Sequence, residues 1–186
     1  KIVEGIVERK DGSEFYTEVS NAIFKKGSEK LIISIIRDIT ERKRMVEERL
    51  RLISAIEQAE EGIVIMDEKG TVKYVNPAME HIAGRNSVEF IGSNPFFREN
   101  GSYTSQTYQE AWGIITAGIV WKGRFAEKKN DGTPLNFEST ISPLRDNSGR
   151  INGFISIGRD ITDRIKMEEK LGRAQKMEAI GTLAGG

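Results

Sequence analysis

Two stretches of the chain repeat one order of apolar, turn and polar positions. Residues 9–20 read RKDGSEFYTEVS, and residues 129–143 read KNDGTPLNFESTISP. Each contains an Asp-Gly pair, which favours a tight hairpin because glycine adopts a positive φ without steric cost. An alternating strand follows each pair, and a further turn leads to a last strand, LIISIIRDI or GFISIGRDI. The pattern predicts a three-stranded antiparallel meander in each half of the chain.

Only the second copy carries a front half. Residues 62–76, GIVIMDEKGTVKYVN, predict two strands around a turn at residues 67–70. Asn76 and Pro77 then suit the N-cap and the first position of a helix. Helical pieces follow to about residue 118. The predicted order is therefore two strands, short helices and three strands.

The pattern changes from strand to helix after each copy of Arg-Asp-Ile-Thr, at residues 37–40 and 159–162. Thr40 and Thr162 can each cap a helix, with an acidic residue just inside it. The four-three spacing of a coiled-coil seam is met by Val46, Leu50 and Ile53. Two interpretations remain open: a solvated spacer with ordinary caps, or a dimeric coiled coil that carries strain between domains.

Composition narrows the function classes. Lys+Arg and Asp+Glu both number 28, so the chain lacks the basic surplus that a nucleic-acid partner favours. There is no Cys, which excludes disulfides and thiolate metal sites. The longest apolar run, residues 31–36, falls far short of the ~20 residues that a membrane helix needs. We expect a piece of a longer cytoplasmic protein, with no membrane segment in this part.

No chemistry-bearing motif stands out. His81 is the only histidine, and one His without Cys does not make a transition-metal site of familiar type. No phosphate-binding loop, nucleophile elbow or metal motif is present. We therefore nominate no catalytic residue and no metal ligand, and we do not expect this fragment to be an enzyme.

The assembled pattern resembles tandem PAS domains with their C-terminal PAC motifs. The matching stretches are residues 62–80 and 120–164 in the complete copy and residues 9–44 in the partial one. The resemblance implies an α+β PAS fold: a five-stranded antiparallel sheet with short helices on one side, flanked by long signalling or coiled-coil helices. It divides the chain into a C-terminal half of a first PAS domain (1–40), a linker helix (41–60), a complete PAS domain (61–162) and a signalling helix (163–186).

The tail, residues 174–186 (AQKMEAIGTLAGG), resembles the opening of the dimerisation and phosphoacceptor helix of sensor histidine kinases. The implied function is a sensory module of a two-component system. In the family the motif aspartate pins the strand end and the threonine starts the helix, which makes Asp38, Thr40, Asp160 and Thr162 the candidate signal-transmission residues. The alternatives are a different output, such as a nucleotide cyclase or transcription regulator, and a ligand-free dimerisation scaffold.

PAS domains hold ligands between sheet and helices, so the resemblance and the strand alternation together nominate pocket residues. They are Ile65, Val75, Ile91, Phe97, Ile115, Phe125, Phe137 and Ile157. A filled apolar core explains the same residues. Arg98 and Arg124 are weak candidates for binding a charged ligand. No cofactor is assigned: haem-binding members use a His on a later helix, where residues 104–118 have none, and flavin-binding members use a Cys.

The expected partners follow from the same resemblance. We expect a homodimer formed through the helices, a small-molecule ligand, and a response regulator that acts with the kinase part. The apolar face of the half domain, residues 1–39, should pack on the linker helix or on a second copy of the chain, because such faces are rarely left bare.

Overall fold

The computed structural model describes residues 2–27, 29–97 and 104–184. The chain divides into two compact units, Lys1–Ala55 and Ile56–Gly186. We refer to them as the first unit and the second unit. Every helix in the described ranges is too short or too polar to span a lipid bilayer.

The first unit is a three-stranded antiparallel sheet followed by a helix. Its elements are β1 (Ile2–Glu8), β2 (Glu14–Lys26), β3 (Glu29–Asp38) and α1 (Thr40–Glu57), and the strand order is β1-β2-β3. The turn between β1 and β2 contains Gly12 at φ 82°, in the left-handed region that an Asp-Gly hairpin requires. The last residues of α1 belong to the second unit.

Apolar side chains of the first sheet are open to solvent. Ile23, Ile32 and Ile36 are 70%, 66% and 65% exposed. Helix α1 leaves them exposed and has no buried residue of its own, so the expected packing of this face on the linker helix is not seen. Packing against a second copy stays a prediction.

The part of the second unit that the structure describes contains five strands and four helices after the end of α1. The strands are β4 (Gly62–Asp67), β5 (Val72–Val75), β6 (Trp121–Lys128), β7 (Pro134–Arg145) and β8 (Ile151–Asp160). The helices are α2 (Pro77–Ala83), α3 (Ser87–Phe90), α4 (Gln106–Thr116) and α5 (Thr162–Ala184). All strand pairs are antiparallel, in the order β5-β4-β8-β7-β6. This confirms the predicted five-stranded antiparallel sheet with short helices.

One face of this sheet carries the core. Leu135, Phe137 and Ile141 alternate along β7 with more exposed residues and are 3%, 7% and 2% exposed. They belong to one apolar cluster with Ala111 and Ile115 of α4, which are both fully buried. Burial of such side chains stabilises the fold by roughly 1.5–3 kcal/mol each.

Asn76 joins three elements at the edge of this core. The residue is fully buried. Its Oδ1 accepts from the backbone amides of Ile63 (2.8 Å) and Met79 (3.0 Å), which makes it the predicted N-cap of α2. Its Nδ2 donates to the carbonyl oxygens of Ile56 (3.1 Å) and Glu61 (2.9 Å). One side chain therefore holds the end of α1, the start of β4 and the start of α2 together.

Candidate functional site

The junction between β8 and α5 is fixed by three hydrogen bonds. Asp160 Oδ1 accepts from the Thr162 backbone amide at 2.8 Å. The Thr162 hydroxyl oxygen accepts from the Asn136 backbone amide at 2.8 Å. The Ile161 amide donates to the Asn136 carbonyl oxygen, also at 2.8 Å. The start of α5 is thus held to strand β7 by the Thr162 side chain and by the backbone of Ile161, the residue before the helix.

The junction between β3 and α1 repeats this arrangement atom for atom. Asp38 Oδ1 accepts from the Thr40 amide at 2.9 Å. The Thr40 hydroxyl oxygen accepts from the Tyr16 amide at 2.9 Å, and the Ile39 amide donates to the Tyr16 carbonyl at 2.9 Å. The repeated sequence therefore specifies a repeated hydrogen-bond pattern.

A cation from the neighbouring hairpin faces each junction aspartate. Lys129 Nζ lies 3.2 Å from Asp160 Oδ2, and Arg9 Nη2 lies 2.7 Å from Asp38 Oδ2. Hydrogen bonds from Thr40, aided by the Arg9 guanidinium, lower the pKa of Asp38. Burial opposes ionisation of Asp160, but the bonds that Thr162 and Lys129 supply outweigh it and lower its pKa as well. Both carboxylates are therefore held in the charged form.

The structure gives the threonine hydroxyls a different partner from the one that the sequence suggested. We expected Thr40 and Thr162 to cap their own helices. Instead each hydroxyl accepts from a strand amide, 24 or 26 residues away along the chain. The aspartate two residues earlier takes the first free helix amide, which is the role that a capping side chain usually has. Each threonine hydroxyl therefore links its helix to the sheet, and we call this hydrogen bond the latch.

A cavity of about 500 Å³ lies between the sheet and the short helices of the second unit. Its volume falls within the roughly 300–1,000 Å³ that small-molecule pockets occupy. The wall is mainly apolar and aromatic, and includes Val64, Met66, Phe96, Phe125, Leu135 and Phe137. The cavity can hold an apolar molecule of moderate size.

A few polar groups interrupt this wall. The Tyr108 hydroxyl donates to Glu127, and its ring stacks on Phe125 with centroids 4.3 Å apart. Burial raises the pKa of Tyr108 well above its ordinary value, and the Glu127 carboxylate raises it further. The hydroxyls of Ser139 and Ser156 share a 2.8 Å hydrogen bond. Each of these polar side chains therefore has a hydrogen-bond partner within the wall.

Arg85 is the exception among the polar groups of the wall. It follows Gly84, which ends α2 at φ 64°, and it lines the cavity. Its Nε is buried and has no hydrogen-bond partner among the described residues. The guanidinium carbon lies 6.0 Å from the Phe90 ring centroid. A residue of the cavity wall therefore carries a buried guanidinium donor without a hydrogen-bond partner among the described residues.

Sequence reasoning missed Arg85 and named two other arginines. Arg98 lies outside the described residues. Arg124 lies on β6 and pairs with Glu138 at 3.1 Å, and it does not line the cavity. The helix-ending Gly84 marks a turn at this point in the sequence, but that signal does not indicate where the next side chain points.

Five of the eight nominated pocket residues lie in the cavity wall or beside it. Phe125 and Phe137 line the cavity. Val75 and Ile115 are buried in the adjoining core, and Phe97 is half-buried against it. These five residues lie in the cavity wall or in the core that adjoins it.

The other three nominated residues lie elsewhere. Ile65 and Ile157 are on the face of the sheet away from the helices, and Ile157 is 37% exposed. Ile91, at the end of α3, is 53% exposed. The error on β4 has a physical cause: the strand is apolar at both parities, and Val64 and Met66, rather than Ile65, face the cavity. The prediction that Ile65, Ile91 and Ile157 line this cavity is therefore wrong.

The sheet order, the helices over one face and the cavity between them define a small α+β domain of the PAS fold. A family model described as PAS domain matches residues 2–41 and 60–163. The chain belongs to the PAS domain family.

Known proteins with similar sequences are signalling proteins. The chain is 25% identical over 126 residues to the nitrogen fixation regulatory protein of Klebsiella oxytoca, an alignment covering 67% of this chain and 26% of that protein. It is 31% identical over 121 residues to the methanogenesis regulatory histidine kinase FilI of Methanothrix harundinacea (strain 6Ac), covering 64% of this chain and 13% of that protein. The chain thus spans only 26% and 13% of the lengths of these two relatives.

A solved structure agrees with the fold. The PAS domain of an HTR-like protein from Haloarcula marismortui superposes with a TM-score of 0.54 at 21% identity, covering 65% of this chain and 98% of that one. This superposition agrees with the PAS fold, and the sequence relatives are signalling proteins that contain such a domain.

Proposed function

We propose that the chain is the sensory and signal-transmitting part of a cytoplasmic sensor histidine kinase. In this proposal the second unit takes a small molecule into its cavity. The change passes through the Asp160–Thr162 junction into α5. Helix α5 then biases a dimeric kinase, whose phosphotransfer residues lie outside this fragment.

One observation carries the proposal: the cavity wall and the junction share a strand. Leu135 and Phe137 line the cavity. Asn136, between them on β7, holds Thr162 and Ile161 through its amide and carbonyl. A ligand that moves the two apolar side chains therefore shifts the backbone to which α5 is latched. A latch of this kind is worth roughly 0.5–1.5 kcal/mol, comparable to the ~1–3 kcal/mol of allosteric couplings.

The kinase output rests on two supports. One of the relatives is named a histidine kinase, and the tail at residues 174–186 resembles a kinase dimerisation helix. The first unit, with the same junction geometry, is proposed to contain the C-terminal half of a first PAS domain that passes its own signal into α1. Because another relative is named a nitrogen fixation regulatory protein, an output other than a kinase is the second candidate.

The test has two stages. Native mass spectrometry and a thermal-shift screen on the whole 186-residue chain should find a molecule that binds and stabilises it. Hydrogen exchange with and without that molecule should then change at residues 160–165 more than at residues 145–150, a solvent-exposed hairpin control. Binding without any change at the junction contradicts transmission. A dimer that no compound stabilises favours a scaffold.

The kinase part is tested in the longer parent protein. Incubation with ATP should phosphorylate a histidine C-terminal to residue 186, and substitutions at the junction should change that rate. Absence of phosphohistidine, with the chain folded, favours a different output.

A further inference from the structure

We propose that the cavity takes an amphipathic monoanion, an apolar or aromatic body with one anionic group, and that Arg85 is the counter-ion. This inference rests on the proposed function of the cavity as a ligand site. It adds the chemical class of the ligand and the residue that selects it.

The first observation behind this proposal is the unpaired Nε of Arg85. A guanidinium carries five N–H donors and no acceptor, and a buried donor without a partner is destabilising. Arg85 Nε is such a donor within the described ranges, and no described carboxylate forms an ion pair with it. An anionic ligand in the cavity that pairs with the Arg85 guanidinium supplies a charged partner through charge-assisted hydrogen bonds.

The acidic residues closest along the chain have other partners. Glu80 accepts from the Ser87 backbone amide. Glu89 accepts from the Asn86 amide at 3.3 Å. Both carboxylates thus stabilise the turn around Arg85, and among the described residues neither forms an ion pair with its guanidinium.

The rest of the wall determines the body and the charge of the ligand. Phe96, Phe125 and Phe137 present aromatic surface, which favours an apolar or aromatic body. Glu127 also faces the cavity, and its carboxylate accepts from Tyr108. A second negative group on the ligand would meet that carboxylate at close range, which is unfavourable in a low-dielectric site. A single anionic group, placed at Arg85, is the best match.

Two fluorescent probes with the same ring system measure how much the anionic group of a ligand contributes to binding. 8-Anilinonaphthalene-1-sulfonate and N-phenyl-1-naphthylamine share their ring system, and only the first carries an anionic group. Both are titrated into the full chain and into Arg85→Gln and Arg124→Gln. The second variant is the matched control, because it removes one guanidinium that does not line the cavity. Ala83→Phe, which adds a ring at the cavity wall, identifies the fraction of each signal that comes from the cavity.

The expected result is selective. Arg85→Gln should weaken cavity binding of the sulfonate probe by roughly 10- to 100-fold, the range for loss of a hydrogen bond to a charged group. Binding of the neutral probe should change by less than about threefold, which also shows that the variant folds with its cavity intact. Arg124→Gln should leave both probes unchanged.

Two outcomes overturn the inference, and they are distinguishable. If both probes bind the cavity and Arg85→Gln weakens neither, or weakens both alike, the anion class is wrong while the cavity stands as a ligand site. If neither probe gives a signal that Ala83→Phe removes, the cavity is not a ligand site, and the proposed function fails with the inference.

Discussion

Replacing the hydroxyl group of Thr162 with a methyl group tests the hydrogen bonding at the junction between β8 and α5. Thr162→Val keeps the shape and the β-branch, so its helix propensity changes little, but it removes the acceptor of the Asn136 amide. Thr162 is only 6% exposed, so water has little access to replace that acceptor. An unsatisfied buried donor costs roughly 1–3 kcal/mol, and the added methyl group recovers a part. We expect a net loss of about 1–2 kcal/mol in the free energy of unfolding.

Two measurements check the value. The melting temperature of the second unit should fall by roughly 4–8 °C. In residue-resolved hydrogen exchange, the Asn136 amide should lose protection while its neighbours on β7 keep theirs. Thr162→Ser retains the hydroxyl, so it should keep the Asn136 protection.

Thr40→Val is the matched control in the first unit. It removes the same latch from the Tyr16 amide, so only the Tyr16 protection should change, and the melting of the second unit should not. The reasoning is refuted if Thr162→Val leaves the Asn136 amide protected, or if Thr162→Ser exposes that amide to the same degree.

Three further predictions follow from the same structure. Asn76→Ala removes four hydrogen bonds of a fully buried side chain and should cost about 2–4 kcal/mol; a loss below about 1 kcal/mol in urea unfolding contradicts the assigned role. Asp160 has a lowered pKa in the folded state, so its contribution is present above the ordinary value of about 3.9 and is lost as the pH falls through the folded value. The stability difference between the wild type and Asp160→Asn should therefore narrow between pH 5 and pH 3, and parallel curves would show that the carboxylate is not the titrating group. Gly70→Ala places a Cβ 2.8 Å from the Trp112 ring at φ +81°, whereas Gly92→Ala, at φ +85°, meets no atom within 4 Å. Both carry backbone strain of about 1 kcal/mol, and calorimetry should show the larger loss for Gly70→Ala.

Local chemistry made much of the fold predictable. Asp-Gly turns, a strand alternation and Asn76-Pro77 each have one favoured conformation, and together they predicted the sequence of strands and helices along the second unit, while the five-stranded sheet was implied by the resemblance to PAS domains. The position of each junction was also predictable, because the apolar spacing changes there from that of a strand to that of a helix. What the sequence did not reveal is the partner of the threonine hydroxyl, because Asn136 is 26 residues away from Thr162 along the chain.

The cavity was predictable only in part. On β7 a clean alternation marks Phe137 as inward-facing. On β4 every position from Gly62 to Met66 is apolar, so a shift of one residue selects the wrong face, as it did for Ile65. Arg85 depends on how the turn after α2 packs, which is a tertiary property that no local pattern encodes.

The two junctions share their hydrogen bonds but not their surroundings, and this difference bears on which of them can respond to a ligand. At the second junction the residues that flank Asn136 are Leu135 and Phe137, and both line the cavity. At the first, Tyr16 is flanked by Phe15 and Thr17, and neither of them lines that cavity. A small molecule that fills the cavity should therefore change exchange at Asn136 and leave Tyr16 unchanged. If both amides respond equally in nuclear magnetic resonance titrations, the coupling does not run through the strand residues that flank the latch.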